Sequence, residues 1–104
     1  MNKVIILTPV FNDWESLSRL LKEINIFLKN TSNDVKILIV DDCSTIKNDN
    51  NIKKQKNIKK IKILRLKKNS GSQKAIFYGL KYLQKIKINS TIVVMDSDGE
   101  DNVR

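Results

Sequence analysis

The stretch Val35-Lys36-Ile37-Leu38-Ile39-Val40-Asp41-Asp42 joins a nearly continuous run of apolar, mostly β-branched residues to two carboxylates. Such a run is typical of a strand that is covered on both faces of a parallel sheet. The pattern returns at Thr91–Met95, which is followed by Asp96-Ser97-Asp98. Open α/β sheets bind ligands outside the carboxyl ends of their strands, so these two acidic segments predict a ligand-binding rim.

Hydrophobic periodicity around these runs predicts two further strands and two helices. The predicted strands are Lys3–Leu7, Val35–Val40, Ile61–Leu66 and Thr91–Met95, and the predicted helices run from about Asp13 to Lys29 and from about Ser72 to Lys85. Helices between strands predict right-handed crossovers and therefore an α/β, Rossmann-like parallel sheet with flanking helices. The alternating third strand is expected near a sheet edge, and residues 47–60 are expected to form a loop.

The spacing of side chains also predicts how the helices begin and what they bury. Asn12 with Glu15, and Ser70 with Gln73, match the capping-box pattern. In the first helix, apolar residues at helical spacing predict one buried stripe, formed by Trp14, Leu17, Leu20, Leu21, Ile24, Phe27 and Leu28. Tyr82 of the second helix is expected in the core as well.

A length of 104 residues predicts one domain over residues 1–104. No apolar run is long enough to span a bilayer, and Val4–Leu7 is too short for the core of a secretory signal. A cytoplasmic location is therefore expected. Cys43 is the only cysteine and there is no histidine, so any bound metal must be held by oxygen ligands.

The net charge of +9 is concentrated in one segment. Lys47–Lys68 contains ten Lys and Arg residues against one acid, Asp49, whereas the charges of the remaining residues balance. One interpretation is a basic module that binds anions, nucleic acid or a membrane surface. The segment has no aromatic residue to stack on bases, which disfavours nucleic acid. The alternative is a solvated loop.

Asp96 and Asp98 give the most specific chemical signal. Side chains two residues apart in an extended segment point the same way, so both carboxylates can reach one cation, and Glu100 keeps the same parity. This pattern predicts Mg²⁺ or Mn²⁺ bound to a diphosphate. The alternative is an acidic surface turn. For the second acidic pair, Asp41 and Asp42, the alternative is a solvated turn at the end of a strand.

The segment Asn69–Lys74 opens the second helix. Its backbone N–H groups and the helix dipole are suited to holding an anion, and Lys74 adds positive charge. Plain helix capping is the alternative interpretation. The sequence has neither a Walker pattern nor G-x-G-x-x-G, so P-loop and dinucleotide-binding interpretations lose support.

Four segments, in order, resemble the N-terminal half of a family 2 glycosyltransferase of the GT-A fold. They are Val4–Asp13 with its P-x-(aromatic)-N-(acid) loop, Val40–Ser44 (V-D-D-x-S), Asn69–Leu80 (N-x-G…A…G-L) and Val94–Asp101 (D-x-D). The form Asp-Ser-Asp-Gly-Glu-Asp is most similar to the polyprenyl-phosphate sugar transferases, the dolichol-phosphate mannose synthase-like branch.

The resemblance implies a nucleotide-binding role for the residues of the first two segments. Asp13 would approach the ribose. Asp41 would hydrogen-bond the base, with Asp42 beside it. The residues that would frame the base are Thr8, Pro9 and Phe11.

The fourth segment is implied to hold the diphosphate. Asp96 and Ser97 would contact the nucleotide, and the residues that would face the metal are Asp96, Asp98 and Glu100. Two positions depart from the family pattern. Asp13 replaces the more usual Glu, which shortens its reach, and Ile46 stands where an Asp often follows D-D-x-S.

As a whole, the resemblance implies a glycosyltransferase domain that binds a UDP- or GDP-sugar with Mg²⁺ or Mn²⁺. The acceptor is unknown, with a polyprenyl phosphate or a glycan as candidates. A lipid acceptor would imply peripheral contact with the inner face of the membrane. The alternative enzyme is a sugar-nucleotide pyrophosphorylase-like domain, but Thr8–Asp13 lacks the Gly-rich basic loop of that class.

The resemblance also bears on completeness. The family's acceptor site and catalytic base lie outside the four matching segments, so no catalytic base is named here. The chain is expected to be a truncated donor half, inactive on its own. The edge of its fourth strand is expected to allow self-association.

Overall fold

A computed structural model describes residues 2–48, 52 and 54–96 of the chain. The elements follow in the order β1 (Lys3–Val10), α1 (Trp14–Phe27), β2 (Asp34–Asp41), β3 (Lys60–Arg65), α2 (Ser72–Lys85) and β4 (Thr91–Val94). A short 3-10 turn, Leu28–Asn30, extends α1. The four strands and two helices predicted from the sequence are confirmed, and β1 is the element whose end differs most from the prediction.

All four strands run parallel, in the order β3-β2-β1-β4. With one helix on each face, the sheet is the predicted Rossmann-like α/β arrangement, and β3 is an edge strand as expected. From β1 the chain adds β2 and β3 on one side and then returns to add β4 on the other. The strand order therefore reverses between β1 and β4, the point at which sheets of this kind bind ligands.

β1 continues through Pro9, although the sequence predicts a loop from Thr8 onward. The amide of Asp42 donates to the Val10 carbonyl (2.9 Å), and the amide of Met95 donates to the Leu7 carbonyl (3.0 Å). The backbone N–H and C=O groups of alternate residues in β1 therefore point toward β2 and toward β4, and the backbone of Pro9 points toward β4. The pairing of β4 with β1 ends at Leu7, and Pro9 has no N–H with which to continue this ladder.

Two apolar clusters cover the two faces of the sheet. Ile6 and Val10 of β1 pack in the cluster that contains α1, whereas Ile5 and Leu7 pack in the cluster that contains α2. This alternation is the period of two that any strand imposes on its side chains. It explains why the central strands have a nearly continuous apolar sequence.

The apolar stripe of α1 is buried as predicted, except that Leu20 is half-buried and Phe27 is exposed. Trp14, Leu17, Leu21 and Ile24 are buried, but Phe27 is 77% exposed, so its assignment to the core is wrong. Phe27 lies on the border of the stripe, beside a groove that is also lined by Val93 and Met95 at the β4 edge of the sheet. Periodicity identifies the stripe but not how far the sheet beneath it extends.

Both predicted capping boxes are wrong. Asp13 rather than Asn12 caps α1, because its carboxylate accepts hydrogen bonds from the Ser16 amide (3.1 Å) and the Ser16 hydroxyl (2.7 Å). At the start of α2 the cap residue is Gly71, which has φ +92°, and no side chain caps the helix.

Within the described residues, no helix is both long enough and apolar enough to cross a membrane.

The described part of residues 47–60 is irregular up to the start of β3 at Lys60, which confirms the predicted loop. The end of this loop is fastened to the fold. Ile58 is buried, and the Asn57 amide donates to the Asn25 side chain on α1 (2.7 Å). The basic segment is therefore not a free arm over its whole length.

α2 lies close to the sheet at two small residues. Ala75 is fully buried, and a Cβ added at Gly79 would lie 2.6 Å from Leu7 Cδ1 and 2.8 Å from Val40 Cγ2. Glycine at this position therefore allows the helix to approach the two central strands. Tyr82 packs half-buried against the same cluster, so its predicted place in the core is confirmed in part.

We expect Gly79→Ala to lower the free energy of unfolding by about 1–2 kcal/mol. Overpacking costs about 1–3 kcal/mol at fully buried neighbours such as Leu7 and Val40, whereas the gain in helix propensity returns at most about 1 kcal/mol. Urea denaturation measures the difference. Gln84→Ala, at an exposed site on the same helix, is the control and should be neutral or slightly stabilising. A Gly79→Ala variant as stable as the parent would contradict the close packing.

Candidate functional site

A cleft of about 320 Å³ opens at the carboxyl ends of β1, β2 and β4. Its walls come from four separate parts of the chain: the end of β1 with the loop after it, the residue after β2, the first residue of α2, and the segment after β4. The residues that line it are Pro9, Val10, Phe11, Asp13, Asp42, Ser72 and Asp96. The cleft therefore lies at the reversal of strand order and brings together one residue from each predicted acidic segment, Asp42 and Asp96.

The cleft brings together five of the residues singled out from the sequence. These are Pro9, Phe11, Asp13, Asp42 and Asp96. Two others, Thr8 and Asp41, are buried beside the cleft and are not among its lining residues. The remaining three, Ser97, Asp98 and Glu100, lie outside the described residues.

Thr8 is buried within β1. By alternation its side chain lies on the same side of the sheet as Ile6 and Val10, the side that α1 covers. Its hydroxyl has no hydrogen-bond partner among the described residues. Thr8 is thus beneath the rim rather than on it.

Asp41, the last residue of β2, is 4% exposed and has two polar partners. One oxygen accepts from the Ser44 amide (2.9 Å), and the other is paired with the Arg65 guanidinium of β3 (2.9 Å). The same guanidinium also donates to the Ser44 carbonyl (3.2 Å). Asp41 therefore joins the end of β3 to the turn after β2.

Asp42 holds the loop that leads into α2. Its two oxygens accept from the backbone amides of Ser70 (2.7 Å) and Gly71 (2.8 Å), and the Asn69 side-chain amide donates to one of the same oxygens (3.1 Å). The sequence predicts an anion at the amides of Asn69–Lys74. At two of these amides the anion is a carboxylate of the chain itself.

Asn12 ties two loops together instead of capping α1 as predicted. It adopts a left-handed backbone conformation (φ +65°), and its side-chain oxygen accepts from the amides of Thr45 and Ile46 (both 2.8 Å). Its own amide donates to the Ser44 hydroxyl (2.8 Å). Asn is among the few residues that tolerate this conformation, which was the available signal.

Two cleft residues differ in how freely they can meet a ligand. Phe11 is 47% exposed beside Pro9, so its ring is available for stacking. The carboxylate of Asp13 is exposed, but it already accepts the two hydrogen bonds from Ser16 that begin α1. Asp13 therefore both lines the cleft and caps α1.

Within the described ranges, no three potential metal-ligating side chains form a cluster. Asp96 is exposed at the cleft, across the end of β1 from Asp42. The absence of histidine from the sequence restricts any cation here to oxygen ligands, the set that Mg²⁺ and Mn²⁺ accept.

Comparison with known protein families gives one result. The model of the family described as "Glycosyl transferase family 2" matches residues 5–103. The chain belongs to this glycosyltransferase family. The match covers the whole cleft of the family 2 chain, from β1 to the segment after β4, and it makes the chain a transferase by family. Comparisons with curated proteins and with solved structures gave no match.

We expect Asp42→Asn to destabilise the family 2 chain by about 1–3 kcal/mol. The substituted amide must turn an NH₂ group toward the Ser70 or the Gly71 N–H, so one of these part-buried hydrogen bonds to a charged acceptor is lost. Urea denaturation measures the loss, and hydrogen exchange at Ser70 and Gly71 locates it. Glu23→Gln, at an exposed carboxylate of α1, is the control and should change stability by less than about 0.5 kcal/mol.

The two contributions of Asn12 can be separated by two substitutions. Asn12→Gly keeps the left-handed conformation and loses the hydrogen bonds to Thr45 and Ile46, for which we expect a loss of about 1–3 kcal/mol. Asn12→Ala adds backbone strain of about 1 kcal/mol. In thermal or urea unfolding we expect the parent to be the most stable, followed by Asn12→Gly and then by Asn12→Ala. Equal stability of the two variants would contradict the strain.

Proposed function

We propose that the cleft binds the nucleotide-diphosphosugar donor of a glycosyl transfer, together with Mg²⁺ or Mn²⁺. The observation that carries the proposal is the position of the cleft, at the reversal of strand order, with Asp42 and Asp96 on its two sides. Ligand sites of open α/β sheets lie at this point. Membership of the family supports the same substrate class.

The nucleoside is proposed to lie over the ends of β1 and β2. Phe11 would stack on the base, with Pro9 and Thr8 shaping the strand beneath it, and Asp13 would face the ribose. Asp41 is proposed to hydrogen-bond the base, with Asp42 beside it. An ionised carboxylate has about four acceptor sites, so the bonds from Ser44 and Arg65 leave Asp41 with acceptor capacity.

The diphosphate and the metal are proposed to lie at the end of β4. Asp96 and Ser97 would contact the nucleotide, and the residues that would hold the cation are Asp96, Asp98 and Glu100. A divalent cation, when bound, neutralises the charge that develops on the departing nucleoside diphosphate. Ser72, at the N-terminus of α2, faces the same cleft, where backbone amides and the helix dipole favour a phosphate.

The acceptor is proposed by family resemblance alone. It is a polyprenyl phosphate or a glycan, and a lipid acceptor would require action at the cytoplasmic face of a membrane. The resemblance assigns the acceptor site and the catalytic base to the other half of the family's fold. We therefore propose that residues 1–104 are the donor-binding part, and we name no residue here as the catalytic base.

Titration calorimetry with UDP and with GDP, each with and without Mn²⁺, tests the donor site. We expect binding of one nucleotide, strengthened at least tenfold by Mn²⁺, because the metal links the carboxylates to the diphosphate. In Asp96→Ala and Asp98→Ala the Mn²⁺ effect should disappear while the circular dichroism spectrum stays unchanged.

Glu23→Gln is the matched control for these carboxylate variants, since Glu23 is exposed on α1 and remote from the cleft. Its titration should match that of the parent. An Asp98→Ala variant with unchanged nucleotide affinity in Mn²⁺ would remove the metal site from the proposal. Absence of nucleotide binding by a folded chain would remove the donor site as well.

A further inference from the structure

The side of the sheet that α2 covers is strongly basic. From residue 50 to residue 95 the sequence contains no Asp or Glu. The two helices, which cover opposite faces of the sheet, differ in charge. The exposed side of α1 carries both signs of charge, whereas α2 carries Lys74, Lys81 and Lys85 and no acid.

Exposed apolar side chains lie among these lysines. Phe77 is 53% exposed, and Tyr78 and Leu80 are exposed beside it. The rings of Phe77 and Tyr78 meet edge to face with their centroids 5.7 Å apart, and Lys81 Nζ lies 5.6 Å from the centroid of Phe77. The aromatic rings and the ammonium groups therefore form one continuous surface.

Helical spacing and β3 extend this surface. Lys74 lies one turn before Phe77 on the helix, and Lys85 lies one turn after Lys81. Lys62 of β3 places its ammonium 5.5 Å from the ring of Tyr82, which brings the edge of the sheet into the same face. We call this the α2 surface; it consists of Lys62, Lys74, Phe77, Tyr78, Leu80, Lys81 and Lys85.

We propose that the α2 surface docks the protein on an anionic lipid bilayer. Charge complementarity supports this occupant, because each lysine near an anionic membrane strengthens binding about fivefold. Lysine stems are long enough to keep the ammonium groups at the headgroups while Phe77 and Leu80 enter the boundary of the acyl region. The Lys47–Lys68 segment, which the sequence offers as the basic module, lacks such exposed aromatic residues.

Nucleic acid is the competing polyanion. Two features of α2 favour the bilayer. The helix has no arginine, the residue best suited to bidentate contacts with phosphates and base edges, and an aliphatic residue, Leu80, lies beside Phe77. Docking does not depend on donor binding, because the α2 surface lies along the helix whereas the cleft meets the helix only at Ser72.

Co-sedimentation with vesicles tests the proposal. The full chain is mixed with vesicles of phosphatidylcholine alone or with phosphatidylglycerol added to about 30 mol%, which gives the surface the negative potential that attracts lysines. We expect binding to the anionic vesicles only, weakened by salt as screening increases. The triple variant Lys74→Gln, Lys81→Gln, Lys85→Gln should bind about a hundredfold more weakly.

Phenylalanine substitutions test the apolar part against a control within the same chain. Phe77→Ser should weaken vesicle binding about tenfold, since the ring is partly buried in the bilayer. Phe27→Ser removes an even more exposed ring from α1, on the other side of the sheet, and should leave vesicle binding unchanged. Both positions are exposed, so neither variant should alter the fold, which circular dichroism verifies.

Four outcomes would overturn the proposal. They are equal binding to neutral vesicles, undiminished binding by the triple lysine variant, an equal loss in Phe27→Ser, and tighter binding to a single-stranded oligonucleotide that the same lysine substitutions abolish. The last outcome would assign the α2 surface to nucleic acid. Nucleotide titration of the same protein without vesicles reports on the cleft separately, so failure of one proposal does not conceal failure of the other.

Discussion

The hydrogen bonds accepted by Asp41 and Asp42 at the end of β2 hold together the loops around the cleft. Both residues are buried, and buried carboxylates are costly unless they are paired and hydrogen-bonded. Asp41 meets this need with Arg65 and Ser44, and Asp42 meets it with the amides that precede α2. The two acids therefore have structural partners before any ligand is considered, and these hydrogen bonds position the loops that line the cleft.

The approach of α2 to the sheet makes these bonds attainable. Gly79 and Ala75 bring the helix close to Leu7 and Val40, so that the loop before the helix reaches the end of β2. Asn12 acts in the same way on the other side, where it ties the loop after β1 to Thr45 and Ile46. Close packing below the rim and hydrogen bonds along it thus together position the loops around the cleft.

The sequence predicted the elements, the parallel sheet and the rim that collects the acids, because apolar periodicity and helices between strands depend on local order along the chain. It did not predict which residue caps α1. Asn12 and Asp13 are adjacent and both suit the position, and the choice depends on Thr45 and Ile46, more than 30 residues away. Phe27 was misassigned for a related reason, since periodicity does not reveal which elements cover each side of a helix.

The order of the strands also separates the positions proposed for the nucleoside and for the cation. β1 lies between β2 and β4, so two strand spacings, about 10 Å, separate the backbones that carry Asp42 and Asp96. Both oxygens of Asp42 are held on the β2 side by Ser70 and Gly71. These bonds favour the proposed assignment of the cation to the β4 side, where Asp96 is exposed at the cleft. The proposed nucleoside would then lie over the ends of β1 and β2, where Phe11 is exposed, which is the division that the family resemblance implies.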